Sequence, residues 1–344
     1  MVIIGMKNVS SHLSTRFNKH KILKTYQEHL SLFLNHLAQT KYGENPKELY
    51  EPIEYMMQLG GKRLRPILCL MGYELFDSKT ESALPAALAI EVFHNFTLVH
   101  DDIMDNAPLR RGKATVYQKW NMPVAILVGD LMMIKAVDFI RESQSKQINE
   151  MLTVFLATAR EVCEGQQLDM NFETQVQVSL DAYIEMITLK TAVLIGASLK
   201  IGALAADASL ADANHLYEFG KNIGIAFQIQ DDLLDCFGND SNTGKQVGGD
   251  IAANKKTLLY IELLSSVHKD DRTLLDTLSS EQNMEIKIQE TLKLYEKYQI
   301  KAFAEQQKQQ YLDKAMLHLN SLSVKPEMLE VLRETAFGLM ERIA

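Results

Sequence analysis

Apolar residues recur at helical spacing along nearly the whole chain, and the alternation expected of strands is missing. Residues 22–39 read as an amphipathic helix. Pro66 opens a second run with Ile67, Leu68, Leu70 and Met71, where a proline suits the first helical turn. The stretch 86–105 is apolar nearly all round, which predicts a central, buried helix. It should end before Pro108, because the residue preceding a proline resists helical geometry. Further helices are predicted at about 124–143, 148–165, 180–206, 211–235 and 256–266. The tail carries more, and Pro326 opens the last. No Asn-Gly hairpin signal, low-complexity linker or domain boundary interrupts the pattern. It predicts an all-α fold, one helical bundle forming a single domain over 1–344.

Composition sharpens this picture. Only 7 prolines and 17 glycines punctuate 344 residues, consistent with long uninterrupted helices. A net charge of −8 argues against a nucleic-acid partner, which calls for a basic stripe. Cys69, Cys163 and Cys236 are odd in number and far apart, so neither a disulfide framework nor a zinc spacing is expected. A reducing compartment, the cytoplasm, fits best. The opening run Met1-Val2-Ile3-Ile4-Gly5 is too short for a signal-peptide core. No apolar stretch reads as long enough for a membrane span.

One internal echo carries chemistry. Asp101-Asp102-Ile103-Met104-Asp105 recurs as Asp231-Asp232-Leu233-Leu234-Asp235, each near the end of an apolar helix. Positions i and i+4 project from one face, one turn apart. Carboxylates at a helix C-terminus oppose the helix dipole and repel each other. Bound divalent cations remove both difficulties. Magnesium suits best, since it is held by one or two carboxylates together with waters and phosphate oxygens. A solvated helix end explains one such cluster; two on hydrophobic helices favour metal.

Cations follow the same arrangement. Gly60-Gly61-Lys62-Arg63-Leu64-Arg65-Pro66 sets three positive charges before a helix N-terminus, a place that attracts anions. Arg110-Arg111-Gly112 trails the first acidic cluster; Gly244-Lys245 and Asn254-Lys255-Lys256-Thr257 trail the second. Basic residues beside each metal motif are what a metal–diphosphate clamp requires. An EF-hand at 240–244 fails on acid order, and a P-loop at Gly244-Lys245 fails because Gln246 follows.

These motifs together resemble the trans-type isoprenyl diphosphate synthases. The resemblance spans roughly residues 50–260: GGKRLRP at 60–66, DDIMDNAPLRRG at 101–112, GQQLD at 165–169, Lys190-Thr191, FQIQDDLLD at 227–235, and GKQVGGD at 244–250 leading to Asn254-Lys255-Lys256-Thr257. It implies a helical bundle around a central prenyl-binding cavity, a homodimer, and three magnesium ions. Asp101 and Asp105 would hold two ions and Asp231 help hold the third, with Asp102, Asp232 and Asp235 in support. Arg110, Lys190 and Lys255 would contact an allylic diphosphate, with Lys245 following the second cluster. Lys62, Arg65, His94 and Arg111 would bind isopentenyl diphosphate. Gln228 and Thr191 would sit beside the forming carbocation. Lys256 competes with Lys255 for its role, Lys255 being preferred. Asp169 needs either a lysine or a metal-bound water, and His100 reads as a core histidine.

The implied reaction is ionisation of the allylic diphosphate, attack on the cation by the isopentenyl double bond, and loss of a proton. A terpene cyclase, which also uses DDxxD, has no need of GGKRLRP. A non-catalytic subunit of a two-part synthase should have lost acids or basic ligands that are present here. Phe93 lies about 12 Å along the axis from Asp101, and Phe96 is five residues upstream of it. Either ring can close the floor of the cavity or be ordinary core. An aromatic at that place resembles the short-chain members, so geranylgeranyl diphosphate is expected, with farnesyl diphosphate close behind.

Overall fold

The computed structural model describes residues 23–238 and 247–340. These are helical almost throughout: α1 Tyr26–Gln39, α2 Lys47–Gln58, α3 Leu64–Glu74, α4 Leu84–Met104, α5 Val116–Lys119, α6 Met122–Arg141, α7 Ile148–Thr174, α8 Leu180–Ile187, α9 Val193–Ala205, α10 Leu210–Phe237, α11 Gly249–Ala252, α12 Leu258–Ser266, α13 Lys269–Ser279, α14 Met284–Lys297, α15 Ile300–Asn320 and α16 Glu330–Met340. The all-α expectation is therefore met. The start of the first predicted helix, Ile22, lies outside the described residues.

Local sequence explains several boundaries. Thr25 and Glu28 form a reciprocal capping box at α1. Asn121, Ser179, Ser209 and Thr257 each place a side-chain oxygen on an early N–H of α6, α8, α10 and α12. α4 ends at Met104, four residues before Pro108, because Asn106 takes a left-handed φ of 51°. The N–H groups of Asn106 and Ala107 then return to the carbonyls of Ile103 and Asp102, satisfying the helix end.

The structure departs from the expected pattern in four places. α2, with Pro52 inside it, was not foreseen. α7 runs on through Gly165 to Thr174. The predicted helix over 180–206 is broken by a π-helical turn, Thr188–Ala192. A two-stranded hairpin pairs Leu109 with Ala114 and Arg110 with Lys113. Arg111 and Gly112 both have positive φ there, as a type I′ turn requires.

Two stretches, Thr80–Met104 and Leu180–Ala205, prove long and apolar enough to cross a membrane by length and composition, correcting the reading of the sequence. Both are mostly buried here, 67% and 72% over their most apolar windows, so their hydrophobicity serves the core. The core forms two clusters, one around α3, α4, α6, α7 and α9, the other around α8 and α12–α14. α10 belongs to both: Ile223 and Ala226 face the first, Ile225, Ile229 and Leu233 the second.

α9 packs against α3 with their backbones in contact. A Cβ on Gly202 would lie 2.0 Å from the Cys69 carbonyl oxygen, and one on Gly72 would lie 2.4 Å from that of Leu199. Gly202→Ala should therefore push the two helices apart and lower stability by about 1–3 kcal/mol. Urea unfolding measures this, and an unchanged midpoint would contradict the close contact.

Candidate active site

The first acidic motif occupies the last turn of α4. Asp101 is half-buried and its carboxyl is pushed up to about 6, chiefly by burial; Lys190 opposes the shift and Asp105 adds to it. Asp102 turns into the protein, where one oxygen accepts from Arg110 Nε at 2.9 Å and Nη2 at 2.5 Å. Burial raises its carboxyl and Arg110 counters the rise.

The second motif, on α10, repeats this division. Asp232 is buried and accepts from the Tyr183 hydroxyl at 2.5 Å, the Leu258 N–H at 3.3 Å and Gln228 Nε2 at 3.5 Å. Burial pushes its carboxyl up to about 7 against the pull of the Tyr183 hydrogen bond. Asp235 accepts from the Asp250 N–H at 3.0 Å, capping α11. So the middle acid of each motif is held by protein donors. Among the described residues none donates to the carboxylates of Asp101, Asp105 or Asp231, the three assigned to metal.

That division fits magnesium. Among the described residues no three carboxylate, imidazole or thiolate groups converge closely enough to hold an ion alone. An ion bound here must complete its shell with water or ligand oxygens, which is how magnesium is usually held.

Lys190 and Thr191 lie in the π turn, and π turns gather at functional sites. Lys190 Nζ meets Asp169 of α7 at 2.5 Å, so the partner left open for Asp169 is a lysine. Gly165, the first residue of the GQQLD motif, permits this approach: a Cβ there would lie 2.2 Å from the Lys190 nitrogen. Lys255 pairs with Asp250 at 3.0 Å, and the acids near it also include Asp169 and Asp235. Lys256 instead donates to the Phe172 carbonyl at 2.5 Å, tying its loop to the end of α7. Lys245 lies outside the described residues.

On the other flank, Arg65 Nη1 stands 3.2 Å from His94 Nε2. An arginine only donates, so this ring nitrogen must accept, which requires a neutral imidazole. Burial and then Arg65 and Arg111 hold the His94 pKa well below its ordinary value, in agreement. Burial draws Arg65 down to about 10, still charged at neutral pH. Arg111 hooks onto the Gly60 carbonyl, and Gly61 lacks the Cβ that would strike the guanidinium. Lys62 is exposed, its carbonyl held by the Tyr26 hydroxyl.

One sequence reading needs correction here. Arg63, counted among three cations facing an anion, is turned inward and bonded to Glu91. Tyr183, which fixes Asp232, was not singled out at all, since a tyrosine on an apolar helix looks like ordinary core. Phe93 is buried against Phe155 of α7, with ring centres 5.3 Å apart, and 5.5 Å from Phe96. Phe96 also meets His100, which packs against Gly129 of α6 but is only partly buried, with Nε2 3.2 Å from the Ile126 carbonyl oxygen, so it is not a core histidine. A cleft of about 810 Å³ opens elsewhere, beside Phe237, Leu292 and Tyr295, and none of these acidic or basic site residues lines it.

The polyprenyl synthetase profile matches residues 46–295. A short chain isoprenyl diphosphate synthase of Methanocaldococcus jannaschii is 40% identical over 74% of this chain and 78% of its own length. A geranylgeranyl diphosphate synthase of Sulfolobus acidocaldarius is 38% identical over 83% of this chain and 88% of that protein. A crystal structure of a geranylgeranyl pyrophosphate synthase superposes with a TM-score of 0.88 at 39% identity, covering 93% of this chain and 99% of that one. The chain belongs to the polyprenyl synthetase family.

Proposed function

We propose that this enzyme condenses isopentenyl diphosphate head to tail with dimethylallyl, geranyl or farnesyl diphosphate, releasing diphosphate and giving geranylgeranyl or farnesyl diphosphate. The observation that carries this reading is the repeated aspartate motif at two helix ends, with cations on both flanks and, among the described residues, no donor to Asp101, Asp105 or Asp231. The whole chain, 1–344, acts as one polyprenyl synthase domain. It works in the cytoplasm, and its three cysteines are free where the structure describes them. A homodimer is supported by the exposed apolar stripe Met122, Ile126 and Ile134 on α6.

Asp101, Asp105 and Asp231 would hold magnesium, three ions in all, which when bound neutralises the allylic diphosphate and makes it a better leaving group. Lys190 and Lys255 bind the same group. Arg110 reaches it with Nη1, since Nε and Nη2 are held by Asp102. Asp102 and Asp232 orient their neighbours, and Asp235 fixes the loop that presents Lys255. Gln228 and Thr191 line the place where positive charge develops on the allylic carbon. Lys62, Arg65, His94 and Arg111 hold isopentenyl diphosphate so that its double bond faces that carbon. The gain is proximity and preorganised charge. The proton lost from the condensation product passes to the departing diphosphate.

Asp101→Ala or Asp231→Ala should lower the rate by roughly a hundredfold or more with helix content unchanged. EDTA should abolish turnover of the unmodified enzyme and magnesium restore it. Arg65→Ala and His94→Ala should raise KM for isopentenyl diphosphate more than for the allylic partner, and Lys190→Ala the reverse. Steady-state diphosphate release checks all of these. Near-normal activity in Asp101→Ala, or equal shifts for both substrates, would sink the assignment.

Phe93 and Phe96 set product length in this reading by closing the cavity floor. Phe96→Ala or Phe93→Ala should add one or more isoprene units to the product. If the rings are only core, truncation costs roughly 3–5 kcal/mol and the product is unchanged. Chromatography of dephosphorylated products beside a melting curve separates the two; unchanged length in a folded, active double variant rejects the floor.

A further inference from the structure

Glu91 is an acid in the middle of the largely buried, apolar helix α4, 2% exposed, and nothing in the reaction calls for it. Its Oε1 accepts from Arg63 Nη1 and, at 3.0 Å, from Asn95 Nδ2. Arg63 is itself 5% exposed and sends Nη2 to the Met57 carbonyl at 2.6 Å, in the last turn of α2. A buried ion pair is weak support for stability, because desolvation offsets much of the attraction. A geometric role is the better account of its presence.

Its surroundings identify that role. Arg63 occupies the turn between α2 and α3 with a left-handed φ of 51°, a conformation a non-glycine residue adopts at some cost unless it is held. On one side of it stands Lys62, on the other Leu64 and then Arg65. Glu91 precedes His94 by three residues, so both lie on one face of α4. The pair thus joins the basic loop to the helix that carries His94, and Arg65 meets His94 at 3.2 Å as a result. Arg111 grips the same loop through the Gly60 carbonyl. Of the acids near Arg65 and Arg111, Glu91 acts on both.

We infer that the buried Arg63–Glu91 pair is a positioning device that fixes Lys62 and Arg65 opposite His94, and so sets the affinity for isopentenyl diphosphate without touching it. This rests on the assignment of Lys62, Arg65 and His94 to that substrate. Arg63 is thereby removed from the anion-binding set, although three of its close neighbours in the motif and hairpin belong to it.

Glu91→Gln keeps an oxygen for Arg63 and Asn95 while removing the charge that holds the guanidinium. Steady-state kinetics with each substrate varied, a melting curve and calorimetric binding of isopentenyl diphosphate form the test. KM and Kd for isopentenyl diphosphate should rise roughly ten- to a hundredfold, the scale of losses from small misplacements. KM for the allylic diphosphate should stay within about twofold. Arg63→Lys, which keeps the charge but loses the branch to Met57, should move in the same direction by less. Should Glu91→Gln not fold, Arg63→Lys decides by the same criteria. A lower KM would mean that Glu91 merely opposes the anion. Equal rises for both substrates would mean general loosening. Either result, or no change, overturns the inference. Arg65→Ala run alongside separates the two claims: if it raises KM for isopentenyl diphosphate and Glu91→Gln does not, only the positioning role falls. If neither does, the pocket assignment falls with it.

Discussion

α9 and the π turn before it meet three neighbouring helices with almost no side chain between the backbones. Gly165 of α7 lies against Leu189 and Lys190, Gly72 of α3 against Leu199, and Gly220 and Gly224 of α10 against residues 192–196. At these points even a methyl group would collide with main chain, so there is no flexible partner that could move aside. The consequence is functional. α3 begins at the basic loop, α7 carries Asp169, α10 carries the second acidic motif, and the π turn carries Lys190 and Thr191. One set of backbone contacts fixes the separations between all of them. Rigid elements locked this way hold charged groups at set distances before any ligand arrives, which is what preorganised electrostatic catalysis needs.

Given that frame, charge alternates across the site. Asp101 feels Lys190, Lys190 meets Asp169, Lys255 feels Asp169 and pairs with Asp250, and Asp235 caps α11, which bears Asp250. Each acidic motif also splits by burial. Asp102 and Asp232 are held within the protein, by Arg110 and Tyr183, whereas among the described residues none donates to Asp101, Asp105 or Asp231. A carboxylate pushed up to about 6 by burial, as at Asp101, marks a place where negative charge is under-compensated. In the proposed reaction, metal and substrate together would supply that compensation.

Much of this was legible in the sequence. The helices declared themselves by period, and the acidic repeat by its position at helix ends. What escaped has particular causes. α2 contains Pro52 and follows Pro46, residues that usually end helices rather than sit inside them. The hairpin turns on Arg111-Gly112 instead of Asn-Gly, so its type I′ geometry had no usual signal. A π turn has no side-chain pattern of its own. Arg63 carries the same charge as Lys62 and Arg65, and only the burial of Glu91 on another helix tells them apart. Tyr183 and Gly165 act through neighbours far away in sequence, information that no single-chain periodicity contains.

Head-to-tail chain elongation is the claim on which everything else rests. Incubation of the purified enzyme with isopentenyl diphosphate, magnesium and dimethylallyl, geranyl or farnesyl diphosphate, with products dephosphorylated and separated by length, tests it most directly. Linear prenyl alcohols longer than the primer, ending at the geranylgeranyl or farnesyl length, are the predicted result. Cyclic hydrocarbons formed without isopentenyl diphosphate, or an unextended primer with every component present, would contradict it.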